Sequence, residues 1–417
     1  MNKSMHPCFE ADSKHKYGRA HLPVAPGCNV QCNYCNRKFD CVNESRPGVS
    51  SVILSPAQSV DYLRNLTSKH PSIIVAGIAG PGDPFANARE TMETIRLVRN
   101  NFPEMILCLS TNGLEISKYI DELYDNEVSH VTITINAIDP VILAEVFAWV
   151  RYNKKVYRGV QAGTLIIDKQ LEAVELLKKR GFTVKINSII LPGLNDKHIS
   201  LVAETVAKLG ADTFNCIPVF PNKDTAFEEI EIPSKEMIKN IQNEVAKYIK
   251  PMKHCARCRA DSAGLLGNDI DERIDMLNQA ARKPLFATEN RPYVAVATEE
   301  GIFVNQHLGE AETLNIYGIV NGEFKLVDER TTPKPGGGDG RWIDLSKQLL
   351  DCSAILVNGA GPNPINILKS LGVKVIKMNG LIKEGLNGVY KGEPLKSVCT
   401  EKFICGESCS GSGGGCG

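Results

Sequence analysis

Cys28, Cys32 and Cys35 stand with three and then two residues between them. A cubane iron–sulfur cluster is normally held by four cysteine thiolates. Three closely spaced thiolates leave one iron open, and an open iron can hold a substrate or cofactor. Structural zinc takes CxxC-type pairs or Cys/His pairs, which the uneven spacing fits poorly. A second pair, Cys255 and Cys258, could be a redox couple, a zinc half-site or a pair of cluster ligands. A redox pair would follow a strand and open a helix; this one follows an amphipathic helix expected over 236–250, which favours cluster ligation. Cys8 and Cys41 lie before and after the first group. Cys108 sits between Leu107 and Leu109, which share the opposite face of a strand; a core cysteine is the alternative. Cys216 and Cys352, in apolar surroundings, read as structural. Three more cysteines (405, 409 and 416) decorate a Gly/Ser-rich tail over 401–417, which either grips metal or stays solvated.

These residues need a scaffold, and the pattern supplies one. The apolar run Leu22 to Ala25 places the cysteine loop just after a first strand. Five more strands are expected at 73–78, 105–109, 131–135, 184–190 and 214–219. Helices lie between them, such as the one opened by Ser55 and Pro56 with Val60, Leu63 and Leu66 on one face. Strand–helix alternation implies parallel strands joined by right-handed crossovers, either an open doubly wound sheet or a partial barrel. Sites on such sheets form at the carboxyl ends of strands. There the chain offers Gly80-Pro81-Gly82-Asp83-Pro84 and Ser110-Thr111-Asn112-Gly113. Gly82 allows close backbone approach, and Asp83 can accept from an ammonium group. Thr132, Thr134 and Asn136 share one face of their strand, as a ligand-lined interior would require; threonines bonded to backbone are the alternative. A barrel region over 1–280, a linker over 281–291 and a smaller mixed α/β domain over 292–400 complete the expected organisation.

Composition narrows the partners. The 417 residues carry 48 basic and 48 acidic side chains, so no electrostatic pull toward nucleic acid or anionic membrane is expected. The first ten residues have no apolar core of a secretory leader, and no run of about 18 apolar residues suggests a membrane span. Fourteen cysteines in that context read as reduced thiols for metal or redox work, and a cytoplasmic location is expected.

The spacing of Cys28, Cys32 and Cys35, with Tyr34 before the last, resembles the signature of the radical S-adenosylmethionine (SAM) superfamily. That resemblance implies a partial (β/α)6 barrel, a 4Fe–4S cluster and bound SAM. Tyr34, Gly82, Asp83, Asn112, Thr134 and Ile186 would then form the SAM site. His6-Pro7-Cys8-Phe9, the wording from Ala25 to Arg37, the segment from Asp40 to Gly48 and Cys255-Ala256-Arg257-Cys258 together resemble the NifB family of nitrogenase cofactor biosynthesis proteins. The last domain resembles NifX/NafY-type cofactor carriers, of ribonuclease-H-like fold, with Asn305 to Gly309 as their histidine segment around His307; a surface histidine is the alternative there.

The family resemblance implies that two further 4Fe–4S clusters are substrates. SAM supplies a methyl carbon, a deoxyadenosyl radical abstracts hydrogen from it, and the clusters fuse around the resulting carbide, with an added sulfur, into an eight-iron precursor. The sparse ligand set would be Cys8, His21, Cys41, Cys108, Cys255 and Cys258, with His6 the rival to His21, which is expected at the start of the first strand. Glu44 and Arg46 would serve proton transfer or bind the SAM carboxylate; a surface ion pair is the alternative. Implied partners are cluster donors, cofactor carriers and a low-potential electron donor. Two competing readings are a radical SAM maturase with auxiliary clusters and a non-enzymatic cluster carrier.

Overall fold

The computed structural model describes residues 5–41, 49–256, 258–282, 291–320, 322–336, 338–391 and 393. Glu44, Arg46, most of the expected linker and the cysteine-bearing tail lie outside them. The chain divides into two compact units, 1–281 and 282–417.

In the first unit the strands are β1 (Gly18–His21), β2 (Val30–Cys32), β3 (Ile73–Ile78), β4 (Ile106–Thr111), β5 (Val128–Thr134), β6 (Phe147–Tyr152), β7 (Lys155–Tyr157), β8 (Thr183–Ile190), β9 (Thr213–Pro218), β10 (Ala263–Leu265) and β11 (Asn268–Asp269). The helices are α1 (Pro56–Lys69), α2 (Ala88–Asn101), α3 (Ile120–Asp125), α4 (Pro140–Val146), α5 (Gly159–Lys179), α6 (Ile199–Lys208), α7 (Lys235–Val245) and α8 (Arg273–Arg282). The six strands β1-β3-β4-β5-β8-β9 are parallel neighbours in that order. This is the partial α/β barrel, with the helices on its outer face. Helix α1 begins as expected. Ser55 accepts from the Gln58 N–H while Gln58 reaches back to the Ser55 N–H, closing a capping box. Val60, Leu63 and Leu66 are buried on its inner face.

Three features depart from the sequence reading. The first strand is Gly18–His21, so the run Leu22 to Ala25 follows the strand instead of forming it. His21 therefore stands at the strand's carboxyl end, not its start. The parallel set is extended by an antiparallel hairpin, β10–β11, on the β1 edge. A separate three-stranded sheet, β2-β6-β7, incorporates the cysteine loop itself. Short strands with mixed polar composition such as Val30-Gln31-Cys32 carry no two-residue alternation long enough to detect.

The second unit contains β12 (Tyr293–Val296), β13 (Phe303–Val304), β14 (Thr313–Val320), β15 (Glu323–Thr331), α9 (Asp339–Gln348), β16 (Cys352–Val357), α10 (Pro362–Ser370), β17 (Lys374–Lys377), β18 (Gly380–Leu381) and α11 (Ile382–Lys391). Its main sheet runs β15-β14-β12-β16-β17, antiparallel on one side of β12 and parallel on the other. That order is the ribonuclease-H-like arrangement. Among the described residues no helix is long and apolar enough to cross a membrane.

Candidate active site

The cysteine loop is clamped from two sides. On one side, residues 22–27 run beside the exit of β3: the Leu22 N–H donates to Gly77 O (2.8 Å), the Gly82 N–H to Ala25 O (2.6 Å) and the Asp83 N–H to Gly27 O (2.8 Å). A Cβ on Gly82 would lie 2.0 Å from Gly27 O, so only glycine permits this approach. On the other side, β2 pairs with β6, and the Arg151 N–H donates to Asn29 O (2.8 Å).

The clamp brings Cys28, Cys32, Cys35 and Cys41 to the wall of one cavity, with Gly82, Ser110, Asn112 and Thr134 from the ends of β3, β4 and β5. Burial, with Asp83 nearby, pushes the Cys28 thiol up to about 12, and burial holds Cys32 well above the usual thiol range and raises Cys35. Buried thiols without a strong cation stay protonated; a bound metal reverses this by stabilising the thiolates. The cavity wall also carries Ser110 Oγ, buried with no hydrogen-bond partner, and the Asn29 amide nitrogen in the same loop is likewise unpartnered. Soft sulfur donors in a buried cavity that leaves polar atoms unsatisfied fit a three-thiolate cluster and a polar ligand beside it. Among the described residues no three His, Cys, Asp or Glu side chains converge on a single metal ion.

Asp83 takes a different part from the one its position suggests. It is buried, and both oxygens are already engaged. Oδ1 accepts from the backbone N–H groups of Phe85 (2.9 Å) and Ala86 (3.3 Å), and Oδ2 from Thr111 Oγ1 (2.8 Å) and the Asn112 N–H (2.7 Å). The carboxylate staples the β3 exit to the β4 exit. The Asn112 amide nitrogen then donates to Asn29 Oδ1 (2.7 Å) and lies 4.0 Å from Cys28 Sγ. Gln170 of α5 donates to both Asn112 O and Thr134 O (2.8 Å each), joining the ends of β4 and β5 from outside. Sequence reasoning missed Gln170, although a lone amide amid Ile166, Ile167, Ala173 and Val174 on one helix face is a legible signal. Tyr34 is buried, its hydroxyl accepting from Asn136 (2.9 Å), so it ties the loop to β5. Ile186 pairs in register with Ile133 and is packed in the apolar core. Its neighbours Lys185 and Asn187, in register with Thr132 and Thr134, are what β8 presents to the interior.

One layer below this cavity, the register aligns His21, Gly77, Cys108 and His130 across β1, β3, β4 and β5. Gly77 leaves the space: a Cβ there would lie 2.9 Å from Cys108 Sγ and 3.3 Å from His21 Cδ2. His21 and Cys108 thus face one another over a glycine, while Leu107 and Leu109 are buried on the other face. His21 Nδ1 is 2.8 Å from Arg259 O, so it carries the ring proton and leaves Nε2 with its lone pair. Burial, and the nearby Arg19, lower this imidazole to about 4, keeping it neutral. His6 is the reverse case. Its Nδ1 accepts from the Cys8 N–H (3.1 Å), which puts the proton on Nε2. The tautomers favour His21 as a ligand over His6.

Cys8 from the N-terminal segment and Cys258 come close in space: burial, together with Cys258, pushes the Cys8 thiol up to about 12. Cys258 is buried and Cys255 exposed. Arg19, fully buried on β1, points two N–H groups at Cys258 Sγ (3.3 and 3.0 Å), two at Gly264 O and Leu265 O (2.7 and 3.0 Å) and one at Asp269 (2.8 Å). Sequence reasoning passed over Arg19 too; a cation two residues before His21 on a buried strand was the signal. Cys216 lies in the apolar core and Cys352 in the second unit's core, as read.

Comparison with known proteins follows the same division. The sequence profile of the Radical SAM superfamily matches residues 22–206, and that of the dinitrogenase iron-molybdenum cofactor family matches residues 290–392. The chain is 52% identical to the FeMo cofactor biosynthesis protein NifB of Chlorobaculum tepidum, over 100% of this chain and 99% of that protein. It is 37% identical to NifB of Klebsiella pneumoniae, over 88% of this chain and 86% of that protein. The crystal structure of Streptococcus suis SuiB bound to S-adenosylmethionine overlaps 57% of this chain and 50% of its own, at 12% identity and a TM-score of 0.41.

Proposed function

This chain belongs to the NifB family of FeMo cofactor biosynthesis proteins and contains a radical SAM domain, and on that premise we propose that it joins two 4Fe–4S substrate clusters around a SAM-derived carbide, with an added sulfur, into the eight-iron precursor of the nitrogenase cofactor. One observation carries the reading: a cavity at the strand ends, walled by Cys28, Cys32 and Cys35 with Cys41 beside them, stands directly above a second layer in which His21 and Cys108 face each other across Gly77. A single-cluster enzyme needs the first layer only.

In this reading Cys28, Cys32 and Cys35 would hold the resident 4Fe–4S cluster, and the polar wall beside them would hold SAM. When bound, this pair supplies a 5′-deoxyadenosyl radical. Gly82 gives the ligand room against the backbone, and Ser110, Asn112 and Thr134 offer hydrogen-bonding groups on the same wall. Asp83 and Gln170 keep those strand ends in place. His21, Cys108, Cys8, Cys255 and Cys258 are the sparse ligands of the two substrate clusters, which must leave as one product. Cys41, on the wall of the upper cavity, is available to either layer. Neutral His21 offers Nε2 without first losing a proton. Arg19 directs two N–H groups at Cys258 Sγ, which fixes that sulfur in place. Cluster donors, a carrier for the product and a low-potential electron donor are the partners this chemistry requires. The match of the second unit to the cofactor family makes it the candidate holder of the product.

Anaerobic iron analysis and EPR, with and without SAM, test this on wild type beside a Cys28/Cys32/Cys35→Ala variant. Three clusters give about twelve irons, falling by about four in the variant while the remaining signals persist. About four irons in wild type and none in the variant would leave an ordinary radical SAM enzyme and remove the fusion reading.

A further inference from the structure

The hairpin β6–β7 turns through Asn153 and Lys154, whose φ angles are 47° and 64°. A two-residue turn with both residues left-handed favours Asn and Gly. Lys154 occupies the corner where glycine would carry no Cβ penalty. Arg151, Lys154, Lys155 and Arg158 are all exposed, and residues 147–158 contain no acidic side chain. In a chain whose formal net charge is zero, that concentrates positive charge on one small protrusion. Two more cations flank it: Lys118 and Lys169 lie 4.9 and 6.0 Å from the Tyr152 ring centre, each also paired with a carboxylate, Glu115 and Glu172 respectively.

The protrusion is bonded to the cysteine loop. Cys32 pairs with Phe147, Gln31 with Trp149 and Val30 with Val150. Gln31 in turn donates its amide to Cys32 O (3.1 Å) and Cys35 O (2.6 Å). The solvent-facing hairpin and the thiols of the upper cavity are thus joined by a short run of paired backbone and two side-chain hydrogen bonds. A cluster buried in that cavity has to receive its electron from outside the chain.

We propose that the basic hairpin over residues 147–158 is the docking surface for a small acidic one-electron carrier protein, which delivers one electron to the cluster held by Cys28, Cys32 and Cys35. The carrier is oxidised by one electron and the cluster reduced by one, with no bond or proton exchanged in that step. Charge complementarity selects the partner: an acidic face is drawn to the hairpin and oriented on it. The inference rests on the radical SAM reading and deepens it by naming the partner's chemistry and its landing place.

The test compares wild type with Lys154→Glu/Lys155→Glu/Arg158→Glu. A second variant, Lys155→Glu/Arg158→Glu, leaves the Asn153–Lys154 turn intact. Formation of 5′-deoxyadenosine from SAM is driven either by dithionite or by a reduced acidic 4Fe–4S ferredoxin. Expected are unchanged iron content and dithionite-driven rate in both variants, with kcat/KM for the ferredoxin lowered about tenfold or more in the triple variant. The wild-type ferredoxin rate should fall steeply as salt rises and the triple variant's should not. Equal ferredoxin-driven rates in wild type and variants, or a salt-insensitive wild type, would overturn the docking assignment. Wild type that cleaves no SAM with either reductant would overturn the radical SAM reading along with it.

Discussion

Asp83→Asn separates a staple from a ligand. The carboxylate of Asp83 receives four hydrogen bonds, two on each oxygen, from Phe85 N, Ala86 N, Thr111 Oγ1 and Asn112 N. The amide is almost the same shape but turns one acceptor into a donor. Either rotamer sets its NH2 against two donors and leaves them unsatisfied in a site that is 3% exposed. Bonds to a charged acceptor contribute about 1.5–3 kcal/mol each, so two lost bonds cost about 3–6 kcal/mol. Burial raises the pKa of this carboxyl, so removing its charge returns part of that cost. The expected net loss is about 2–4 kcal/mol, read from urea denaturation of the metal-free chain followed by circular dichroism. SAM affinity should fall only through the displaced Asn112 and the loop it supports. A variant as stable as wild type that no longer binds SAM would refute this reasoning and return Asp83 to the ammonium-binding role.

The layer beneath the cavity gives a second test. Gly77→Ala puts a methyl group 2.9 Å from Cys108 Sγ and 3.3 Å from His21 Cδ2; crowding should cost about 1–3 kcal/mol. It should abolish loading of a substrate cluster, about four irons, while the SAM-responsive EPR signal persists; full iron content would remove His21 and Cys108 from the ligand set. In the second unit, hydrogen bonds from Arg330 to Asp351 (2.6 and 2.7 Å) hold the Asp351 carboxyl below the usual carboxylate range. A depressed acid pKa stabilises the fold above the unfolded value, about 3.9, and that stabilisation is lost as pH falls through the folded value. With the Asp351 side chain 40% exposed, screening limits the effect to about 1 kcal/mol. Asp351→Asn should lower the melting temperature of this unit at pH 7 and leave it nearly unchanged near pH 3; an equal drop at both pH values would discount the ion pair.

What the sequence determined by itself was the chemistry that short spacing encodes. Cys28, Cys32 and Cys35 are bound to share a site because few residues separate them, and strand–helix alternation with right-handed crossovers leaves few topologies. The capping box at Ser55 was equally local. What only the tertiary structure decided depends on register and long-range approach. Whether Cys108 faces His21 or the core turns on how β1, β3 and β4 align, since a slip of one residue reverses every face. The role of Asp83 could not be read locally, because two of its four donors come from Thr111 and Asn112 at the exit of the next strand. Arg19 meets Cys258 only when the segment after the barrel folds back as β10–β11 against β1. The short β2 paired with β6 had no periodicity to announce it, yet it joins the basic hairpin to the thiols. Local sequence can specify which groups are present and how closely they are tethered; which of them face one another is a property of the packed sheet.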